Sequence, residues 1–149
     1  EIKYNKRKMN SAVDKRENIS VPSKLSLAYY SRTRQTERFM EKVLEQIQID
    51  VHRIKDEPLE INNSYVLITP TYDFGEVPAP VETFLENETN QNNLIAVMSS
   101  GNRNWGTNFA IAGDTISKRF NVELIGKYEL AGNMVDVNKL VDYIKGRVM

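Results

Sequence analysis

The chain has 149 residues, of which 40% are hydrophobic and 27% charged, enough for one domain with a buried core and too few for two of ordinary size. Lys plus Arg and Asp plus Glu both number 20, so bulk charge does not favour nucleic acid or another polyanion as a partner. Cysteine is absent, which excludes disulfides, thiolate metal sites and thiol chemistry; any redox role needs a bound cofactor. The single histidine, His52, falls in a strand pattern and reads as a structural or surface residue, so no metal site is expected.

Residues 1–24 carry Lys3, Lys6, Arg7, Lys8, Lys15, Arg16 and Lys24 without apolar periodicity. They read as a polar, mildly basic extension ahead of a domain spanning 25–149, serving either as a docking arm or as a tail. The extension lacks the roughly 7–15-residue apolar core of a secretory signal. No apolar run approaches the roughly 18 residues of a membrane span, and a cytoplasmic location is expected.

Leu25, Leu27, Ala28, Tyr29 and Tyr30 form a short, mostly apolar run that predicts a strand. Beyond it, Phe39, Met40, Val43, Leu44 and Ile47 fall on one side of a 3.6-period helix. The loop between them, Ser31-Arg32-Thr33-Arg34-Gln35-Thr36, is rich in hydroxyls. Two readings of it are open. Thr36 would cap the helix, or the loop's hydroxyls and the helix N–H groups would hold a phosphate monoester.

Ile49 to Ile54 predicts a strand with one wet face, hence an edge position. Lys55 to Asn63 is a polar connection, and Tyr65 to Pro70 is a run suited to the middle of a parallel sheet. It ends in a second unusual loop, Thr69-Pro70-Thr71-Tyr72-Asp73-Phe74-Gly75-Glu76-Val77-Pro78. Pro78 and Pro80 open a short helix with Val81, Phe84 and Leu85 on its apolar side. Leu94 to Met98 predicts the next buried strand, running into Ser99-Ser100-Gly101-Asn102-Arg103-Asn104-Trp105-Gly106, which holds the sole tryptophan. A helix over about 108–120 follows, with Phe109, Ala112, Ile116 and Phe120 inward. Val122 to Leu130 as a strand and Val135 to Val148 as a helix complete the chain.

Five strand and helix patterns in alternation predict an α/β sandwich around a parallel sheet with right-handed crossovers. The compact size favours strand order 2-1-3-4-5. In such sheets ligands bind outside the carboxyl ends of the strands, where strand order reverses. The three unusual loops follow strands one, three and four, which are neighbours at that point, so they converge on one cleft.

The first loop offers that cleft donors for a terminal phosphate. The second and third offer the flat side chains Tyr72, Phe74 and Trp105, and Gly75, Gly101 and Gly106 where backbone approaches closely. A phosphate at one end and aromatic walls at the other describe a mononucleotide with a large planar ring, and flavin mononucleotide (FMN) is the natural candidate. Trp105 as a core anchor, Tyr72 and Phe74 as loop packing, and the glycines as turn residues are the competing readings.

The motifs carry a family resemblance. Ser31-x-Thr33-x-x-Thr36 is similar to the phosphate loop of flavodoxins. The run Thr71 to Pro78, together with Ser99 to Gly106 and Asn108-Phe109, resembles the NrdI family, and Tyr128-Glu129-Leu130-Ala131-Gly132 fits that family's last strand and loop. The resemblance spans about 25–149 and implies a flavodoxin-like three-layer sandwich with a five-stranded parallel sheet. It implies FMN as cofactor, with the reduced flavin reacting with dioxygen. The oxidant would go to the small, radical-bearing subunit of class Ib ribonucleotide reductase, with electrons from an unidentified reductant, rather than to metabolic turnover. A general flavodoxin-type electron carrier is the alternative.

Carried over residue by residue, the resemblance implies phosphate contacts at Ser31, Thr33, Gln35 and Thr36. Arg34-Gln35 stands in place of the small pair common in such loops, and Arg32 and Arg34 are candidates either to pair with phosphate or to face solvent or a partner. Ring contacts are implied at Thr71, Tyr72, Phe74 and Gly75, and at Ser100, Gly101, Asn102, Asn104 and Gly106, with Trp105 stacking. Thr69, Pro70 and Ser99 at the strand ends belong to the same candidate set. Gly75 carries the redox-tuning assignment, since a glycine peptide is free to rotate and present its carbonyl to the reduced ring.

Overall fold

The computed structural model describes residues 2–3, 19–20, 25–72 and 75–148. Of the expected extension over 1–24, only Ile2–Lys3 and Ile19–Ser20 are therefore described, and Asp73 and Phe74 of the second loop lie outside the described residues.

Eight strands occur among the described residues: β1 (Ile2–Lys3), β2 (Ile19–Ser20), β3 (Leu25–Tyr29), β4 (Ile47–Gln48), β5 (Asp50–Arg53), β6 (Ser64–Pro70), β7 (Leu94–Gly101) and β8 (Glu123–Glu129). The α-helices are α1 (Gln35–Leu44), α2 (Ala79–Leu85), α3 (Glu88–Asn93), α4 (Ile111–Phe120) and α5 (Met134–Val148), with a 3₁₀ segment at Arg103–Asn108. The main sheet runs β1-β5-β3-β6-β7-β8. Its five parallel strands follow the predicted order, and β1 adds an antiparallel strand outside β5, so β5 is not the free edge its alternation predicts.

The central strands read as continuous apolar runs because both faces are covered. Side chains alternate across a strand, so Leu27, Tyr29, Val66, Ile68, Ala96 and Met98 join α1 and α5 in one core. Ala28, Tyr65, Leu67 and Val97 join α2 and α4 in the other. Burying each large aliphatic side chain contributes about 1.5–3 kcal/mol relative to leaving it in water.

Several boundaries differ from the sequence reading. Helix α1 ends at Leu44, and Ile47 reaches the same core from β4, which pairs with β2. The expected helix over 108–120 starts only at Ile111, because Gly106 (φ 59°, ψ −121°) and Ala110 (φ 51°) interrupt helical geometry before it. Ser99 to Gly101 extend β7 rather than opening a loop.

Helix α3 escapes the apolar pattern because its buried residue is Asn90. The Asn90 amide oxygen accepts from Ile61 N–H (2.8 Å), and its Nδ2 donates to the carbonyls of Leu59 (2.7 Å) and Phe84 (2.9 Å). Its own carbonyl accepts from the Tyr65 hydroxyl at 2.6 Å. One polar side chain thus fastens the polar connection over 55–63 to the sheet.

Candidate functional site

The parallel register aligns the strand ends: Tyr29 lies beside Ile68, Pro70 beside Ser100, and Ser100 beside Tyr128. The loops leaving β3, β6 and β7 therefore meet at one rim of the sheet, the carboxyl end.

The first loop is built around a left-handed residue. Arg34 (φ 74°) turns the chain into α1 without capping it through its side chain. Ser31, not Thr36, meets the helix end: its Oγ accepts from Glu37 N–H at 3.3 Å. Thr36 sits inside the first turn, buried. The first N–H groups of a helix have no intrahelical acceptor and carry partial positive charge, so this turn collects donors at the cleft. Glu37 is held from both sides, by Arg34 Nε and Arg53 Nη1, each at 3.3 Å. Arg53 also donates to the Ser31 carbonyl. Arg34 is thereby turned away from the cleft and into solvent.

The second loop is stitched by an isolated bridge between Tyr72 and Glu76, with Glu76 N–H donating to the Tyr72 carbonyl at 2.7 Å. Thr71 Oγ1 accepts from Ala112 N–H at 3.1 Å, tying the loop to the start of α4. Gly75 adopts φ 118°, and a Cβ there would lie 2.7 Å from Ile111 Cγ2. The third loop opens with the Asn102 side-chain oxygen accepting from Asn104 N–H at 2.8 Å. Arg103 pairs with Glu129 from β8 and lies over the Phe109 ring. A Cβ on Gly101 would meet Ala110 N at 2.5 Å, so only glycine permits this approach.

Together these loops enclose a cleft of about 360 Å³ lined by Ser31, Arg32, Thr33, Gln35, Thr36, Pro70, Thr71, Tyr72, Ser100, Gly101, Asn102, Trp105 and Leu130. All but Leu130 belong to the candidate set from the sequence. Leu130 was missed because an apolar residue at a strand end signals core. Here it is 66% exposed at φ 57°, and Trp105 beside the same cleft is 42% exposed.

Six candidates do not line the cleft. Arg34 is engaged by Glu37. Thr69 and Ser99 are buried within their strands, their hydroxyls donating to the carbonyls of Pro70 and Ala110. Gly75 packs toward Ile111, and Asn104 and Gly106 lie exposed on the 3₁₀ segment. Phe74 lies outside the described residues. A slightly larger hollow of about 410 Å³ lies between Ile54–Leu59 and α2, and contains none of the candidate residues.

One phenol lines the cleft, and a second is buried beside the lining residue Ser100. Burial, followed by the neighbouring Tyr30, pushes the Tyr72 phenol up to about 12, against the opposing pull of Arg32. Tyr128, from β8, is fully buried, and its hydroxyl has no hydrogen bond of good geometry among the described residues. Burial raises its pKa most strongly, and the nearby Thr36 and Ser100 hydroxyls pull the other way.

The family model described as NrdI flavodoxin-like matches residues 27–142 of this chain. This chain belongs to the NrdI flavodoxin-like family. It is 42% identical over 113 residues to Protein NrdI of Macrococcus caseolyticus, covering 76% of this chain and 83% of that one. It is 40% identical over 126 residues to Protein NrdI of Corynebacterium glutamicum, covering 78% and 84%. Among solved structures, a Fusobacterium nucleatum flavodoxin bound to flavin mononucleotide superposes with a TM-score of 0.55 at 15% identity, covering 83% of this chain and 95% of that one. The last comparison concerns the fold. The family match includes every residue that lines the cleft, and makes the chain a flavodoxin-type redox protein. No helix among the described residues is long and apolar enough to cross a membrane.

Proposed function

We propose that this is a cytoplasmic FMN protein which, with its flavin reduced, uses dioxygen to supply the oxidant for radical-cofactor assembly in the small subunit of a class Ib ribonucleotide reductase. The observation that carries the reading is the composition of the cleft. Hydroxyls and helix N–H groups from the first loop share one cleft with aromatic rings and close-approach backbone from the second and third, on a chain of the NrdI family.

The residues fit the group. Ser31, Thr33, Gln35 and Thr36 would hold the terminal phosphate through hydroxyls and main-chain N–H groups, with the α1 N-terminus favouring its charge. Tyr72, with Arg32 over one side of its ring, and Trp105 are the aromatic residues of the cleft against which a flavin ring would stack. Gly101 and Asn102 bring main-chain polar groups to the cleft, where they would meet the polar edge of a flavin. Bound FMN would supply one- and two-electron transfer and reactivity toward dioxygen. Net neutrality supports a dedicated protein partner over the broad docking of a strongly acidic electron carrier.

The test is a visible spectrum of protein expressed with ample flavin, followed by mixing the reduced protein, dioxygen and the metal-loaded small subunit. A yellow protein that generates the subunit's radical, read by electron paramagnetic resonance, is the expected result. A yellow protein inactive with a competent subunit points to general electron transfer, and a colourless one overturns the cofactor assignment.

A further inference from the structure

Tyr128 occupies a slot that phenylalanine would fill equally well. Its ring stacks on Phe39 of α1, centroids 4.2 Å apart and planes 13° from parallel. Gly132 closes over the pair, since a Cβ there would lie 2.8 Å from Phe39 and 3.2 Å from Tyr128. Packing therefore accounts for the ring but not for its hydroxyl, which is buried without a satisfactory partner among the described residues. An unsatisfied buried hydroxyl is unfavourable and asks for a reason. Two cleft hydroxyls adjoin it: Ser100 is the register partner of Tyr128 on β7, and Thr36 lies one turn before Phe39 on α1.

We propose that Tyr128 is a positioning residue for the anionic end of the ligand: its O–H, without a partner of good geometry among the described residues, turns to donate to Thr36 Oγ1 when an anion binds, so that the Thr36 proton points into the cleft. This rests on the reading of the cleft as a flavin phosphate site. A phenol has one proton to give, and burial keeps it protonated at neutral pH. With Thr36 Oγ1 accepting from below, the threonine's single proton is left for a phosphate oxygen above. With the polarity reversed, Thr36 would present only lone pairs to an anion. Thr36, in the first turn of α1, is where donors gather; Ser100 lies at the strand end leading to Gly101.

The experiment is Tyr128→Phe in the full chain, titrated with FMN and with riboflavin, which has the same ring and no phosphate, alongside thermal melting of the flavin-free protein. The expected result is about a tenfold loss of FMN affinity, unchanged riboflavin affinity, and a melting temperature no lower than wild type. Thr36→Val should lose the same preference for FMN, and adding Tyr128→Phe to it should cost nothing more. Equal losses for both ligands, or no loss for either, would overturn the proposal while wild-type FMN binding leaves the cofactor reading intact. Failure of the wild type to prefer FMN over riboflavin would overturn that reading, and this one with it.

Discussion

The Arg32 guanidinium lies over the ring of Tyr72, 4.2 Å from its centroid, and so joins the first loop to the second across the cleft. The positive charge stabilises the Tyr72 phenolate against the larger opposing effect of burial. Arg32→Ala should therefore move the Tyr72 titration above its present value of about 12. Ultraviolet difference titration against a Tyr72→Phe reference checks this, and a downward or absent shift contradicts it. A phenol whose folded pKa is raised stabilises the fold below its unfolded value near 10 and loses that contribution as pH climbs through about 12. Tyr65 and Tyr128 are raised by burial in the same direction. Unfolding free energy is thus expected to fall progressively above pH 10.

Leu130 spends backbone strain to place an apolar side chain beside the cleft. Left-handed geometry costs a non-glycine residue about 1–2 kcal/mol, whereas glycine pays roughly 0.5–1 kcal/mol in unfolded-state entropy. Leu130→Gly should leave stability unchanged or raise it by up to about 1 kcal/mol, while weakening flavin binding several-fold. Urea unfolding and fluorescence titration measure the two sides, and a loss of stability would show that the exposed side chain holds the fold.

Gly75 is the position where a side chain is least tolerable in the second loop. Gly75→Val forces a β-branched residue to φ 118° and drives its Cβ against Ile111. The expected outcome is a melting temperature several degrees lower and a smaller yield of the one-electron-reduced form during stepwise reduction. Unchanged potentials would remove Gly75 from the redox machinery and leave it a purely steric glycine.

Asn90 is the polar fastener of the second core. Asn90→Ala strands the Ile61 N–H and the carbonyls of Leu59 and Phe84 in a buried setting, at about 1–3 kcal/mol for each group left unsatisfied. A loss near 3 kcal/mol in denaturant unfolding is expected, with flavin affinity per folded molecule unchanged, because the cleft lies at the opposite end of the strands. A loss below about 1 kcal/mol would mean that water replaces the amide.

Much of this was legible in the linear chain. Continuous apolar runs at Leu25–Tyr29 and Tyr65–Ile68 announce strands covered on both faces, and the hydroxyl, aromatic and glycine loops after them mark one end of a parallel sheet. Less legible were elements whose cause is not hydrophobic period. Helix α3 is anchored by a buried amide, and α4 begins late because Gly106 and Ala110 take backbone angles that no spacing rule foresees.

Composition and order alone determined that the chain forms an α/β sandwich whose hydroxyl-bearing and aromatic loops face one cleft, because alternating periodicity dictates which faces must be buried and hence how strands and helices stack. Only the tertiary structure decided that Arg34 turns aside to Glu37 while Arg32 crosses to Tyr72, that Leu130 stands at the rim, and that the Tyr128 hydroxyl is buried without a partner of good geometry, its residue beside Ser100. Those relations join residues up to about a hundred positions apart. They depend on side-chain direction and strand register, which are settled when the elements pack rather than by any segment on its own.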